Sequence, residues 1–360
     1  MTILFAAEEN GLVGSQAWLK NHADRETKIA MMINKDHNPS AAGGATVPSS
    51  WYEDFVKIVE PIKNFNPKWP FNLRQNEYPS APPVRPGGTD SSSFSMRRVP
   101  TLTFQEVTDF NYNTAWHTLL DTYDRVVPYT EHQQQCAAVS AVVAYGVANL
   151  ERTLPRDGVY LPDGLYADIT TAKGRIMTTL DYVNAPLFTA NFVRIVEGGT
   201  PPQGAAQGRG GGGGARGGGG AGAPAPPPIG KINEVIANLA SGSIESPIQK
   251  SVAEVALLNE LNTVLKHNAA GVLGMTGQNQ FYLTLKARPD LDSKYPAIGK
   301  VIAGASVLEK LTKDDAIRSV RIIRVGQAAT DFNTYNEAFQ KLQQEKAKTL
   351  APVKAPAKKK

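Results

Sequence analysis

Apolar and polar positions change period twice along the chain. Thr2-Ile-Leu-Phe-Ala-Ala reads as a strand, Glu8-Glu9-Asn10-Gly11 as a tight turn, and the run through Trp18 as a helix. Ile29 to Asn34 is a second apolar strand, ending at Lys35-Asp36-His37. Ser49 to Val59 has helical spacing, with Ser49 or Ser50 placed to cap it. Residues 61–98 are rich in Pro, Asn and Gly and predict a long ordered loop. Thr101 to Phe104 reads as a short strand, and Glu131 to Leu150 as a long closing helix. Strands alternating with helices predict a layered α/β domain over residues 1–154.

Beyond Pro155-Arg156-Asp157-Gly158 a period of two takes over. Tyr166 to Thr171 and Arg175 to Leu180 alternate around Lys173-Gly174, which is a β-hairpin pattern. Ala190 to Val196 is helical in spacing. Short β-rich runs return at Val272–Met275, Gln280–Leu285, Ile298–Ile302 and Ile317–Val325. A second domain is expected over 163–328, followed by a helix near Tyr335 to Lys348 and a basic tail within 329–360. Residues 201–228 interrupt that domain. With twelve glycines and then Ala/Pro, this stretch cannot bury a core and is expected to be disordered.

Composition narrows the classes. At 360 residues two domains are the natural expectation, and 41% apolar residues suffice for a core in each. The net charge of +5 is a property of the end of the chain, because residues 346–360 hold six lysines and no acid. A Lys/Ala/Pro tail reads as a solvated end rather than a nucleic-acid or membrane tether. Cys136 is the only cysteine, so no internal disulfide can form. Acids at Glu8 and Glu9 interrupt the opening residues, so no secretory signal is visible. Cys136 to Leu150 is too short to span a bilayer. Arg209 and Arg216 are too few, and lack the interleaved aromatics, for an RNA-binding glycine-rich segment, so no nucleic-acid partner is expected. No strand precedes these glycines and no Lys-Ser/Thr follows, which excludes a phosphate loop.

Four strings carry candidate chemistry in the first region. They are Phe5-Ala-Ala-Glu8-Glu9-Asn-Gly11-Leu-Val-Gly14-Ser15, Ile33-Asn34-Lys35-Asp36, Gly87-Gly88-Thr89-Asp90 and Trp116-His117-Thr118. Together they resemble the zinc aminopeptidase family that includes the glutamate carboxypeptidase and transferrin-receptor folds. The resemblance implies zinc as cofactor, Glu8 as general base, Glu9 and His117 as ligands of one zinc, and Asp36 as ligand of the other. Zinc in such a site lowers the pKa of a bound water towards ~7 and polarises the scissile carbonyl. Asp90, Asp121 and Asp124 read as structural hydrogen-bonders. The family's His-x-Asp ligands lie upstream of the Glu-Glu turn. Here seven residues precede Glu8, so three of five ligands are expected, a domain incomplete at its N-terminus, and no aminopeptidase turnover.

The second region resembles the cyclophilins. The strings are Tyr166 to Ile176, Ala185 to Val193, Leu265 to Met275, Gln280 to Thr284, Leu291 to Tyr295, Gly299 to Gly304 and Arg318 to Gly326. The resemblance implies a closed antiparallel β-barrel capped by helices, peptidyl-prolyl cis-trans isomerisation without a cofactor, and proline-containing peptides or unfolded proteins as partners. It also implies a proline pocket formed by Met275, Gln280, Phe281, Tyr282, Leu291 and Tyr295, with barrel core as the competing role for Met275, Phe281 and Leu291. The family's Phe-x-Arg-Val-Ile strand and Gln-Gly-Gly turn have no counterpart between the helix and Leu265. Losing such an electrostatic stabiliser costs ~10²–10³ in rate, so weak or absent isomerisation with retained peptide binding is expected. The resemblance implies a relative of bacterial aminopeptidase–cyclophilin fusions. The alternatives are a degenerate peptide-binding protein or a truncated product without catalysis. The compartment stays open, although relatives of the peptidase part are often secreted or periplasmic.

Overall fold

The computed structural model describes residues 1–36, 38–197, 230–231, 260–276, 281–312, 315–332, 334 and 336–349. The expected disorder at 201–228, together with His37 and Gln280, lies outside them. Two compact units are present, one over Met1–Leu161 and one from Pro162 onward.

The first unit carries two small sheets. β1 (Met32–Asn34) runs parallel to β4 (Thr101–Thr103). β2 (Ala41–Pro48) pairs in parallel with β3 (Asn72–Asn76) and antiparallel with β5 (Gln105–Val107). The sequence Ala-Ala-Gly-Gly-Ala-Thr-Val-Pro of β2 has poor strand propensity, and burial overrides it. Small side chains let the helices Ser49–Val59 and Thr130–Ala148 approach closely. Trp51, Phe55 and Ile58 from the first helix meet Val139, Val143 and Val147 from the second over Ala42, Ala45 and Val47.

One buried side chain locks this layer. β2 slips register against β5 between Ala42 and Gly44, so the ladder cannot serve Ala42 regularly. Gln135, 4% exposed, fills the gap from the long helix. Its Oε1 accepts from the Ala42 N–H at 2.7 Å, and its Nε2 donates to the Ala42 carbonyl at 3.1 Å.

Several expectations for this unit need correction. Residues 2–7 form no strand: no neighbouring strand offers them a ladder, and Leu4 is 94% exposed. The backbone carbonyls of Ala6 and Ala7 instead accept from Gly14 and Val13, folding the segment back on the turn. Neither Ser49 nor Ser50 caps its helix, since their hydroxyls donate to the carbonyls of Asn76 and Asp157. The region 61–98 is not all loop, because it contains β3 and the helix Ser91–Met96.

The second unit is built on one sheet of seven strands. β6 (Gly164–Thr171) and β7 (Gly174–Leu180) form the expected hairpin, with Gly174 at φ 140, a value that suits glycine. Adding β8 (Gly230–Lys231), β9 (Val272–Met275), β10 (Phe281–Leu283), β11 (Ala297–Ala303) and β12 (Ala316–Val325) gives the order β10-β9-β11-β7-β6-β12-β8. All its pairings are antiparallel. Among the described residues this is a curled antiparallel sheet, in keeping with the antiparallel barrel of cyclophilin type expected. The segment between the helix and Leu265, where closing strands would fall, is mostly outside the description.

The helix Pro186–Glu197 packs against this sheet, with Leu187, Phe188, Phe192, Val193 and Ile195 in one core with its strands. Its first turn has unpaired N–H groups, and Glu260 supplies the acceptor. One carboxylate oxygen takes the N–H of Leu187 at 2.7 Å and of Phe188 at 3.1 Å. The helix Asn336–Ala347 lays Phe339 against the Arg194 guanidinium, 4.1 Å from the ring centre.

Gln135→Ala leaves a buried N–H and a buried carbonyl without partners, at a cost of about 1–3 kcal/mol each. All four tryptophans, Trp18, Trp51, Trp69 and Trp116, lie in the first unit, so tryptophan fluorescence reports on it alone. The expected result is an early fluorescence transition in urea, with the second unit's far-ultraviolet signal retained. An unchanged midpoint would contradict the clamp.

Candidate functional sites

In the first unit the turn after residue 7 brings the candidate acids to the helix Val13–Asn21. Glu8 accepts from Gly11 and Leu12 through its backbone carbonyl. Three non-glycine residues beside the site sit in the left-handed region, Ala7 at φ 56, Leu12 at φ 60 and His117 at φ 55. Each such conformation costs ~1–2 kcal/mol, so the surrounding chain must hold them there. His117 Nε2 and Glu9 Oε1 are 2.9 Å apart, with both side chains more than half exposed. Asn34 at the end of β1 donates to Thr89 Oγ1 at 3.0 Å, tying the strand to the Gly87–Asp90 loop.

Electrostatics show that the acids gather around Glu8. Partial burial raises its carboxyl pKa first. Repulsion from Asp36, Glu9 and Asp90 adds to this, and His117 opposes it. Asp90 Oδ1 is buried with no hydrogen-bond partner among the described residues. All four sequence-predicted residues, Glu8, Glu9, Asp36 and His117, therefore fall in one neighbourhood. Among the described residues no group of three or more His, Cys, Asp or Glu side chains could hold a metal ion. Glu9 and His117 pair with each other, and Asp36 is an exposed carboxylate. The donor set does not fit the implied two-zinc site.

In the second unit the predicted pocket residues divide by environment. Met275 on β9 and Phe281 on β10 point into the core, where Phe281 meets Phe192 edge-on at 5.1 Å. Tyr282 and Tyr295 form a second group, with rings edge-to-face at 6.3 Å. Leu291 is 3% exposed and ends the turn Pro289–Leu291, and its carbonyl accepts the Tyr295 N–H at 2.9 Å. Burial pushes the Tyr282 phenol well above its ordinary pKa, and Tyr295 and Asp292 add to the effect.

Sequence reasoning missed three groups here. His267 is 1% exposed, and its Nε2 lies 2.6 Å from the Tyr282 hydroxyl. Asp292 Oδ1 takes both the His267 N–H and its Nδ1 at 2.8 Å. Burial pushes the Asp292 carboxyl up, but these bonds from His267 outweigh it and hold the pKa below the usual range. The third group is the exposed ion pair of Arg288 with Asp290, at 2.7 Å, on the pocket's turn. The hydroxyl of Tyr282, among otherwise apolar pocket candidates, was the signal in the sequence that a polar partner lay nearby.

Comparison with known proteins agrees with the geometry. Residues 166–327 match the family of cyclophilin type peptidyl-prolyl cis-trans isomerases, and residues 1–143 match peptidase family M28. The chain is a fusion of an M28 peptidase region and a cyclophilin-type domain. A peptidyl-prolyl cis-trans isomerase-like 3 of Rhizopus delemar is 35% identical over 85 residues, covering 21% of this chain and 50% of that protein. A probable inactive peptidyl-prolyl cis-trans isomerase-like 6 of Mus musculus is 48% identical over 56 residues, covering 14% of this chain and 18% of that protein. The chain thus spans half or less of the length of these curated relatives. Among solved structures, a cyclophilin type isomerase of Cryptosporidium parvum aligns over 45% of this chain and 98% of its own, at 17% identity and a TM-score of 0.30. M28 peptidases are typically zinc-dependent, whereas cyclophilins need no cofactor and bind proline-containing peptides in general. No described helix is long and apolar enough to cross a membrane.

The Arg288 guanidinium holds the Asp290 carboxyl down, to a pKa of about 2. A carboxyl depressed on folding contributes stability above its unfolded pKa of ~3.9 and loses it as pH falls through the folded value. The Asp290 carboxyl resonance is therefore expected to titrate near 2 in the native chain and to return towards the ordinary range in Arg288→Ala. A midpoint unmoved by the substitution would contradict the pairing.

Proposed function

We propose that the cyclophilin-type unit binds proline-containing segments of peptides or unfolded chains against Tyr282, Leu291 and Tyr295, with isomerisation weak or absent. The edge-to-face pair Tyr282–Tyr295 beside Leu291 carries this reading. Tyr282 and Leu291 are each 3% exposed and Tyr295 is half-buried, so together they form an apolar floor on which a pyrrolidine ring would pack. Isomerisation asks for more, because the barrier is ~20 kcal/mol and the twisted amide must be stabilised by a placed donor. The guanidinium of Arg288, at the turn that ends in Leu291, is held by Asp290. Gln280 lies outside the described residues. Relatives termed probable inactive isomerases are consistent with binding that outlasts catalysis.

For the M28 region the proposal is a folded unit without hydrolysis. Its support is the donor set around Glu8, which lacks a three-ligand group among the described residues. No catalytic step is assigned to it.

Two measurements test these readings. Exchange NMR on Ala-Ala-Pro-Phe with the full chain should show binding, with isomerisation ~10²–10³ slower than in an arginine-bearing cyclophilin. Absence of any peptide-dependent shift would end the binding proposal. For the first unit, added zinc should raise the melting temperature of the native chain no more than that of the Glu9→Gln, His117→Ala double variant. Selective zinc stabilisation, joined to hydrolysis of aminoacyl-nitroanilides that Glu8→Gln abolishes, would overturn the non-catalytic reading.

A further inference from the structure

β9 and β10 pair so that Tyr282 stands opposite Gly274. A Cβ on Gly274 would collide with the far end of the tyrosine ring, at its Cζ and hydroxyl. The ring therefore lies across the strand, in space that only glycine leaves open. Its hydroxyl reaches His267 Nε2 at 2.6 Å, and the two rings are near-parallel at 24°, with centres 5.7 Å apart.

The chain of bonds has a direction. The Asp292 carboxylate has no hydrogen to give, so His267 Nδ1 donates to it. With the single ring proton on Nδ1, Nε2 keeps its lone pair and takes the Tyr282 O–H. Asp292 also accepts the His267 backbone N–H, and the His267 carbonyl accepts the Arg288 N–H at 2.6 Å. Backbone and ring of His267 are thus both fixed, and the residue is 1% exposed.

We propose that His267 and Asp292 are positioning residues for the proline pocket: their hydrogen-bond chain pins the Tyr282 ring over Gly274 and turns its hydroxyl inward, so that an incoming prolyl segment meets only the ring. The proposal rests on the pocket reading given above. It explains how tyrosine serves as an apolar wall, since the hydroxyl's donor is used up inside the protein. It also assigns roles to Gly274, which makes room, and to Asp292, which sets the tautomer.

The test is an NMR titration of the full chain with Ala-Ala-Pro-Phe, read at the Tyr282 and Tyr295 rings. The native chain is compared with His267→Gln, Asp292→Asn, Tyr282→Phe and the His267→Gln/Tyr282→Phe pair. The native Tyr282 hydroxyl proton is expected as a slowly exchanging line close to the His267 ring. His267→Gln should weaken peptide binding about fivefold to tenfold, the worth of one buried hydrogen bond, and Asp292→Asn by less. Once Tyr282→Phe has removed the hydroxyl, His267→Gln should add nothing, a coupling that a merely structural role would not produce. If His267→Gln does not fold, Asp292→Asn carries the test through loss of the slow hydroxyl line and weaker binding. Native binding that neither variant weakens overturns the positioning and leaves the pocket standing. No peptide-dependent shift at Tyr282 in the native chain overturns both.

Discussion

Antiparallel pairing of β9 with β10 places Tyr282 opposite Gly274, and what is distinctive about the second unit follows from that register. The same pairing sends Met275 and Phe281 into the core beneath the helix Pro186–Glu197. A one-residue slip would exchange the two sets and put Tyr282 in the core, where its hydroxyl would lose His267. The register is held at the other end by the turn Pro289–Leu291, through Asp292 and Arg288. Core, pocket wall and buried relay are therefore one cooperative arrangement, in which a polar hydroxyl is tolerated because its partners are buried with it.

The two units illustrate different ways in which a family pattern can persist. In the first, the fold-level frame survives as helices over two small sheets, and the acids still converge on Glu8. Convergence is not coordination. Glu9 and His117 pair with each other, and burial with acid neighbours raises the Glu8 pKa. In the second unit Tyr282, Leu291 and Tyr295 are packed together as an apolar group, the surface proposed to take a prolyl ring. Binding an apolar ring needs shape, whereas catalysis needs a charge held at one point, and shape is the more robust of the two.

Much of this was legible in the sequence where burial follows a period. The hairpin around Gly174, the helices from Ser49 and from Thr130, and β12 each announced themselves by alternation or by helical spacing. β2 did not, because Ala and Gly carry no periodic signal and its strand state comes from the helices packed on it. Residues 2–7 erred the other way: they have a strand's composition but no ladder to join. Of the candidate sites, the residue types were readable and the pairings were not. His267 lay within a recognised string, yet its bond to Tyr282 depends on room made at Gly274. Gln135 is a polar residue in a helix by sequence and a strand clamp by structure.

The central claim is that an aromatic, hydroxyl-silenced pocket survives in the cyclophilin-type unit. A crystal structure of the full chain with a bound Ala-Ala-Pro-Phe peptide tests it most directly. The account predicts the prolyl ring packed on the surface formed by Tyr282, Leu291 and Tyr295, with the Tyr282 hydroxyl still on His267. A peptide seated elsewhere, or a Tyr282 hydroxyl turned out to bond the substrate, would contradict it.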